Sequence, residues 1–174
     1  MKNILKLFLN TVFKPDEYLE KVTAINLDAL RERGIKALLF DLDNTVLPND
    51  EYQPSVPTVN WFSSLKEQGF LPLFIVNDLW PRRVLRIAEN LKIDAYYFVC
   101  KPYTGILQRI IDQELGLKRK EVALIGDQLF FDILPGNCLG LYTILIKSCD
   151  SLKLSAAGFF KRAHSGLIEK YINK

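Results

Sequence analysis

Two aspartates separated by one residue, Asp41 and Asp43, follow the apolar run at 37–40, and Asp127 and Asp132 follow the run at 122–125. Lys101 follows a third apolar run, at 95–99. Carboxylates two residues apart on leaving a strand converge on one site when the chain then bends. There they can divide nucleophilic, proton-transfer and cation-binding work. Each residue has a plainer reading on its own: Asp-x-Asp as a turn or helix cap, Gly126-Asp127 as a turn, Lys101 as a surface lysine. Their shared position, just past apolar runs, favours the site reading.

The elements that must position them are legible from periodicity. Continuous apolar runs at 37–40, 73–76, 95–99, 122–125 and 142–146 predict about five strands covered on both faces. Pro72 must sit where no ladder donor is needed. Helical spacing over 59–68, 81–91 and 104–115 alternates with them; Pro81 suits a first turn, and Gly69 and Gly116 suit helix ends. The alternation predicts an α/β fold: a doubly wound parallel sheet in three layers with right-handed crossovers. Ligands of such sheets sit beyond the carboxyl ends of the strands. Asp41, Asp43, Asn77, Asp78, Lys101, Gly126 and Asp127 all fall there.

These residues resemble a known family. Asp41-Leu42-Asp43-Asn44-Thr45-Val46-Leu47 after an apolar strand looks like the first motif of the haloacid dehalogenase (HAD) superfamily. Lys101-Pro102 looks like its third, and Gly126-Asp127 with Asp132 looks like its fourth. The resemblance spans roughly residues 35–146. Through phrases such as 125–129 and 136–140 it is closest to the phosphatidylglycerophosphatase branch of capless, subclass IIIA phosphatases. It implies an HAD-like Rossmannoid domain without a cap and a Mg²⁺-dependent phosphomonoester hydrolase. It also implies Asp41 as nucleophile, Asp43 as acid/base, and Lys101 as a charge against the phosphoryl oxygens. Asp41, Asp127, Asp132 and the backbone carbonyl of Asp43 would hold the metal. Thr45 is expected to fix the turn at the phosphate. The second motif of the superfamily normally ends in Ser or Thr; here Asn77-Asp78 follows the strand, so Asn77 is expected to donate to the phosphate in the hydroxyl's place, and Asp78 is expected beside it at the phosphate.

Too few residues separate Asp43 from Asn77, or Asp78 from Lys101, for an inserted cap. An open site is therefore expected, one that suits phosphate on a lipid headgroup at a membrane surface, phosphatidylglycerophosphate above all. The alternatives are a protein, glycan or nucleic-acid end, and, in a different class, a weakly active binding module. Apolar stripes at Leu5, Phe8, Leu9 and Val12 and at Phe160, Leu167, Ile168 and Tyr171, the latter near Lys153, Lys161, Arg162, Lys170 and Lys174, either pack on the domain or touch a membrane.

The 174 residues fit one domain, with a core at about 35–147 and helical extensions at both ends. Twenty-three basic against 20 acidic residues give a net charge of +3, too mild for a partner bound through a dominating field, so no nucleic acid is expected. Three cysteines, Cys100, Cys138 and Cys149, support neither a disulfide framework nor a zinc site. No signal peptide and no uninterrupted apolar stretch of about 18 residues is read, so a cytoplasmic protein is expected, free or peripheral on the membrane. His164 is read as a solvated helix residue, Trp61 and Trp80 as packing residues.

Overall fold

The computed structural model describes residues 11–79 and 81–148. The two terminal stripes apart from Val12, and with them Cys149, His164 and Trp80, lie outside the described residues.

Six strands form one parallel sheet: β1 (Glu17–Leu19), β2 (Ala37–Phe40), β3 (Leu71–Ile75), β4 (Asp94–Tyr96), β5 (Val122–Gly126) and β6 (Tyr142–Ile146), in the order β1-β6-β5-β2-β3-β4. After β2 the chain moves outward to β3 and β4, then returns to the other side of β2 as β5. The switch point between β2 and β5 is where such a sheet opens a crevice at its carboxyl end.

The main helices are α1 (Leu27–Glu32), α2 (Val56–Glu67), α3 (Arg82–Leu91), α4 (Gly105–Arg109) and α5 (Leu134–Leu139). Alternation along β2 assigns its two faces: Leu38 and Phe40 join Leu30, Phe62, Leu65 and Ile87 on one side, while Ala37 and Leu39 join Leu107, Ile110, Ile111 and Leu139 on the other. The result is the expected three-layer α/β sandwich, with no cap among the described residues. Trp61 packs edge-on to Phe40 and Phe62, as a packing residue should.

The strand expectations differ from the structure at the sheet edges. β1 pairs with β6 through Glu17↔Ile144 to Leu19↔Ile146, and nothing in the three residues Glu-Tyr-Leu announces it. Its anchor is tertiary: the Asp16 carboxylate accepts from the Thr143 amide at 2.8 Å and from its hydroxyl at 3.1 Å. β4 stops at Tyr96, short of the predicted 95–99, because Phe98 and Cys100 turn left-handed (φ 58° and 60°). Pro72 sits opposite Leu38 one residue before β4 begins to pair at Leu73, so its missing donor costs the ladder nothing on that side.

Helix boundaries also shift. α2 starts three residues before the predicted position, because the Ser55 side chain accepts from Thr58 N at 3.3 Å and Pro57 lies in the first turn. The helix predicted over 104–115 changes at Ile110 into a π-helical turn, Ile110–Glu114.

Candidate active site

Register brings the acidic residues together. Phe40 stands opposite Ile125, and Asp41 N donates to Ile125 O at 2.8 Å, so the chain leaves β2 level with the end of β5. It then bends at once: Val46 N donates to Leu42 O at 3.0 Å and Asn44 N to Leu47 O at 2.9 Å, with Asn44 left-handed at φ 60°. Asn tolerates that conformation better than most residues.

Lys101 lies at the centre, with its side chain 1% exposed. Its Nζ donates to Asp41 Oδ1 at 2.7 Å and to Asp132 Oδ1 at 2.6 Å. Asp132 is fully buried, and its second oxygen accepts from Gln128 N at 3.1 Å. Its seat requires a glycine at 126, because a Cβ there would lie 2.1 Å from Asp132 Cγ. Asp41, Asp127 and Asp132 each offer one carboxylate oxygen within 4.8 Å of the others.

Three buried carboxylates against one ammonium leave excess negative charge in low dielectric, and the titration follows. Burial, then the charges of Asp41 and Asp132, push Asp127 up to about 8. Burial pushes Asp132 up to about 6 against the opposing pull of Lys101. For Lys101 burial disfavours the cation, but Asp132 and Asp41 outweigh it and hold the ammonium charged well above its ordinary range. A cluster of this composition fits a hard divalent cation, which takes oxygen ligands and would offset the surplus charge.

The structure places the other expected residues with different partners. Thr45 is buried and its hydroxyl donates to Asp127 Oδ1 at 3.5 Å, so it braces an acid at the end of β5. Asn77, expected to offer its amide to a phosphate, makes two bonds to Lys101: Nδ2 donates to Lys101 O at 2.8 Å and Oδ1 accepts from Lys101 N at 2.7 Å. It aims the lysine through two bonds at once. Asp78 is half-buried near Asp43, where its charge helps to raise the Asp43 pKa. An ionised carboxylate accepts only, so what Asp78 can give an anion is its main-chain N–H.

Arg83 is the residue sequence reasoning missed. From the first turn of α3 its guanidinium, 11% exposed, pairs with Asp43 Oδ1 and donates to Pro48 O and Glu51 O, each at 2.8 Å. It also lies 5.8 Å from the centroid of the Tyr52 ring. The signal available was the pair Arg82-Arg83 opening a helix just beyond a site strand. Burial raises the Asp43 pKa, Arg83 opposes it, and Asp41 adds to the rise; the net is upward, toward the range where a carboxyl can give and take a proton.

A doubly wound sheet with an acidic, lysine-braced cluster at its switch point defines a class of α/β protein that takes its ligand beyond the carboxyl ends of the strands. A family model described as HAD-hydrolase-like matches residues 99–157, which hold Lys101, Asp127 and Asp132. The probable phosphatase YqeG of Bacillus subtilis (strain 168) is 35% identical over 138 residues, 79% of each chain. Two solved structures share the fold. One is an uncharacterized protein from Listeria monocytogenes serotype 4b (TM-score 0.52, 15% identity, 78% of this chain and 99% of that one). The other is a putative HAD family hydrolase from Streptomyces avermitilis MA-4680 (TM-score 0.50, 19% identity, 65% and 71%). The chain belongs to the HAD-like hydrolase family, as an enzyme of phosphatase type.

Proposed function

We propose that this enzyme hydrolyses a phosphomonoester in two displacements at phosphorus, with Asp41 as nucleophile and Asp43 as proton carrier. The observation that carries the reading is the Lys101 ammonium fixed between Asp41 and Asp132 at the switch point. Asp41 attacks phosphorus while the ester P–O bond breaks, and Asp43 gives its proton to the departing alkoxide. A water then attacks the aspartyl-phosphate, Asp43 takes its proton, and the P–O bond to Asp41 breaks to release phosphate. Arg83 holds one oxygen of Asp43 and leaves the other for the proton. Lys101 keeps a positive charge beside the nucleophile without moving, and Asn77 keeps Lys101 there. Asp41, Asp127 and Asp132 would hold Mg²⁺, with the Asp43 carbonyl completing the set, and the ion would supply charge neutralisation at the phosphoryl group.

The substrate reading is phosphate on a large carrier, phosphatidylglycerophosphate first, giving phosphatidylglycerol. Its support is the sequence resemblance, the short loops where a cap would be inserted, and an Asp43 side chain that is 47% exposed. No helix among the described residues is long and apolar enough to span a bilayer.

The test is phosphate release with and without Mg²⁺ from phosphatidylglycerophosphate, phosphopeptides, sugar phosphates and an aryl phosphate. Lipid turnover well above the rest is expected, and Asp41→Asn should abolish all of it. Preferred hydrolysis of a phosphopeptide or a phosphorylated nucleic-acid end would replace the lipid reading. Full activity in Asp41→Asn would refute the mechanism.

A further inference from the structure

Nine large apolar side chains are exposed among the described residues, and all but Leu71 lie at the end of the sheet that carries the site. Tyr52 stands after β2, Leu79 after β3, and Tyr97, Phe98 and Tyr103 after β4; Val56 and Ile106 lie in the first turns of α2 and α4, and Leu85 one turn into α3. Exposed apolar residues scattered singly need no explanation, but an arc of them along the β2-β3-β4 side of an active site does.

Hydrogen bonds tie together the part of the arc that follows β3 and β4. Val99 N donates to Val76 O at 3.1 Å, and the two bonds between Asn77 and Lys101 lock the loop of Phe98 and Tyr103 against the loop of Leu79. Tyr103 N closes a tight turn on Cys100 O at 3.0 Å. Leu79 is 65% exposed, Phe98 54% and Tyr103 79%. Phe98 holds this exposure in a left-handed conformation that bulky residues avoid, so its position is unfavourable in backbone and in hydration alike.

We infer that this apolar rim is the surface by which the enzyme docks, site first, on an anionic lipid bilayer. The inference rests on the lipid reading of the substrate and adds to it the face that meets the lipid. Tyr and Phe with a few arginines are the side chains that settle at the boundary between headgroups and acyl chains. Arg82 and Arg86 are exposed on α3 where it leaves the rim. Two surface cavities lie at the opposite end of the sheet, one lined by Gly34, Gly69 and Phe70, the other by Gly140 and Tyr142.

The test compares the full chain with a triple variant, Leu79→Asn, Phe98→Asn and Tyr103→Ser, in Mg²⁺ buffer. Asn at 98 is polar and tolerates the left-handed backbone. Leu71→Thr, at the far end, is the control. Co-sedimentation is measured with phosphatidylcholine vesicles and with vesicles that also contain phosphatidylglycerol. Hydrolysis of a soluble aryl phosphate is measured in parallel with hydrolysis of phosphatidylglycerophosphate, both in vesicles and in detergent micelles. The triple variant should lose at least about tenfold in partitioning to anionic vesicles, as expected from leaving three apolar side chains unburied. It should keep its aryl phosphate activity, and Leu71→Thr should match the wild type. Undiminished vesicle binding by the triple variant, or aryl phosphate activity lost along with it, would overturn the docking surface. A wild type that ignores both kinds of vesicle overturns it too and leaves a protein as the rim's partner. Rim-dependent vesicle binding without lipid hydrolysis would sink the substrate reading alone. Hydrolysis in micelles with no role for the rim would sink the docking alone.

Discussion

Asp127→Asn should make the metal-free enzyme more stable while removing its activity. Asp127 is 6% exposed, and burial with two neighbouring acids pushes its carboxyl up to about 8 from an ordinary 3.8. Because the folded-state value is raised, the unfolded chain releases the proton first. Folding is therefore progressively disfavoured as pH climbs from near 3.8, and the cost levels off above about 8. At pH 7 the interval above the ordinary value is roughly three pH units at about 1.36 kcal/mol each, a cost of about 4 kcal/mol. An amide keeps the shape and can still accept from Thr45, but carries no charge. The assay is urea unfolding of both proteins with EDTA at pH 5, 7 and 8.5, then with Mg²⁺. In EDTA the variant should gain up to about 4 kcal/mol at pH 7, and the gain should shrink toward acid. Mg²⁺ should stabilise the wild type by about 2.7 kcal/mol at 100 times its dissociation constant, and the variant by less. A variant no more stable than the wild type at pH 7 in EDTA, or a difference that does not vary with pH, would refute the electrostatic reasoning.

Gly126→Ala should unfold or inactivate the protein, since the added methyl would overlap Asp132; a destabilisation of about 3 kcal/mol or more is expected in thermal melts. Asn77→Ala should lower kcat through misplacement of Lys101, by about 1–3 kcal/mol in activation free energy, and Asn77→Ser should not restore it; wild-type kcat in either would show that Lys101 holds itself in place. Arg83→Met should free the loop at 44–52, raising its amide exchange and lowering turnover by about tenfold; unchanged exchange there would show that the loop needs no tether.

The parts of the site written as strand ends were readable. Asp41, Asp127 and Lys101 each follow an apolar run, and a parallel sheet leaves such residues little choice but to share one end. Asp132 came with the same motif. What was not readable depended on side chains meeting across the fold. Asn77 carries hydrogen-bonding groups that a phosphate could use, and nothing local says that the Lys101 backbone takes them. Arg83 lies 40 residues from the carboxylate it pairs with. β1 was invisible for the same reason: its three residues have no pattern of their own and become a strand through β6 and the Asp16 carboxylate.

The strands at the two edges of the sheet are its shortest, and this bears on how the protein behaves in a crowd. β1 and β4 span three residues each, beginning with Glu17 and Asp94, while the longer apolar strands β3, β5 and β6 lie inside. An incoming β-segment would find few free donors and acceptors in line on either rim, and a negative charge at the start of each. The apolar strands next to the edges, 71–75 and 142–146, are capped sideways by these short acidic stubs. Local melting of Glu17–Leu19 would uncover Tyr142–Ile146 as a template for strand addition, so sheet-to-sheet association should begin at the β6 side when the fold loosens.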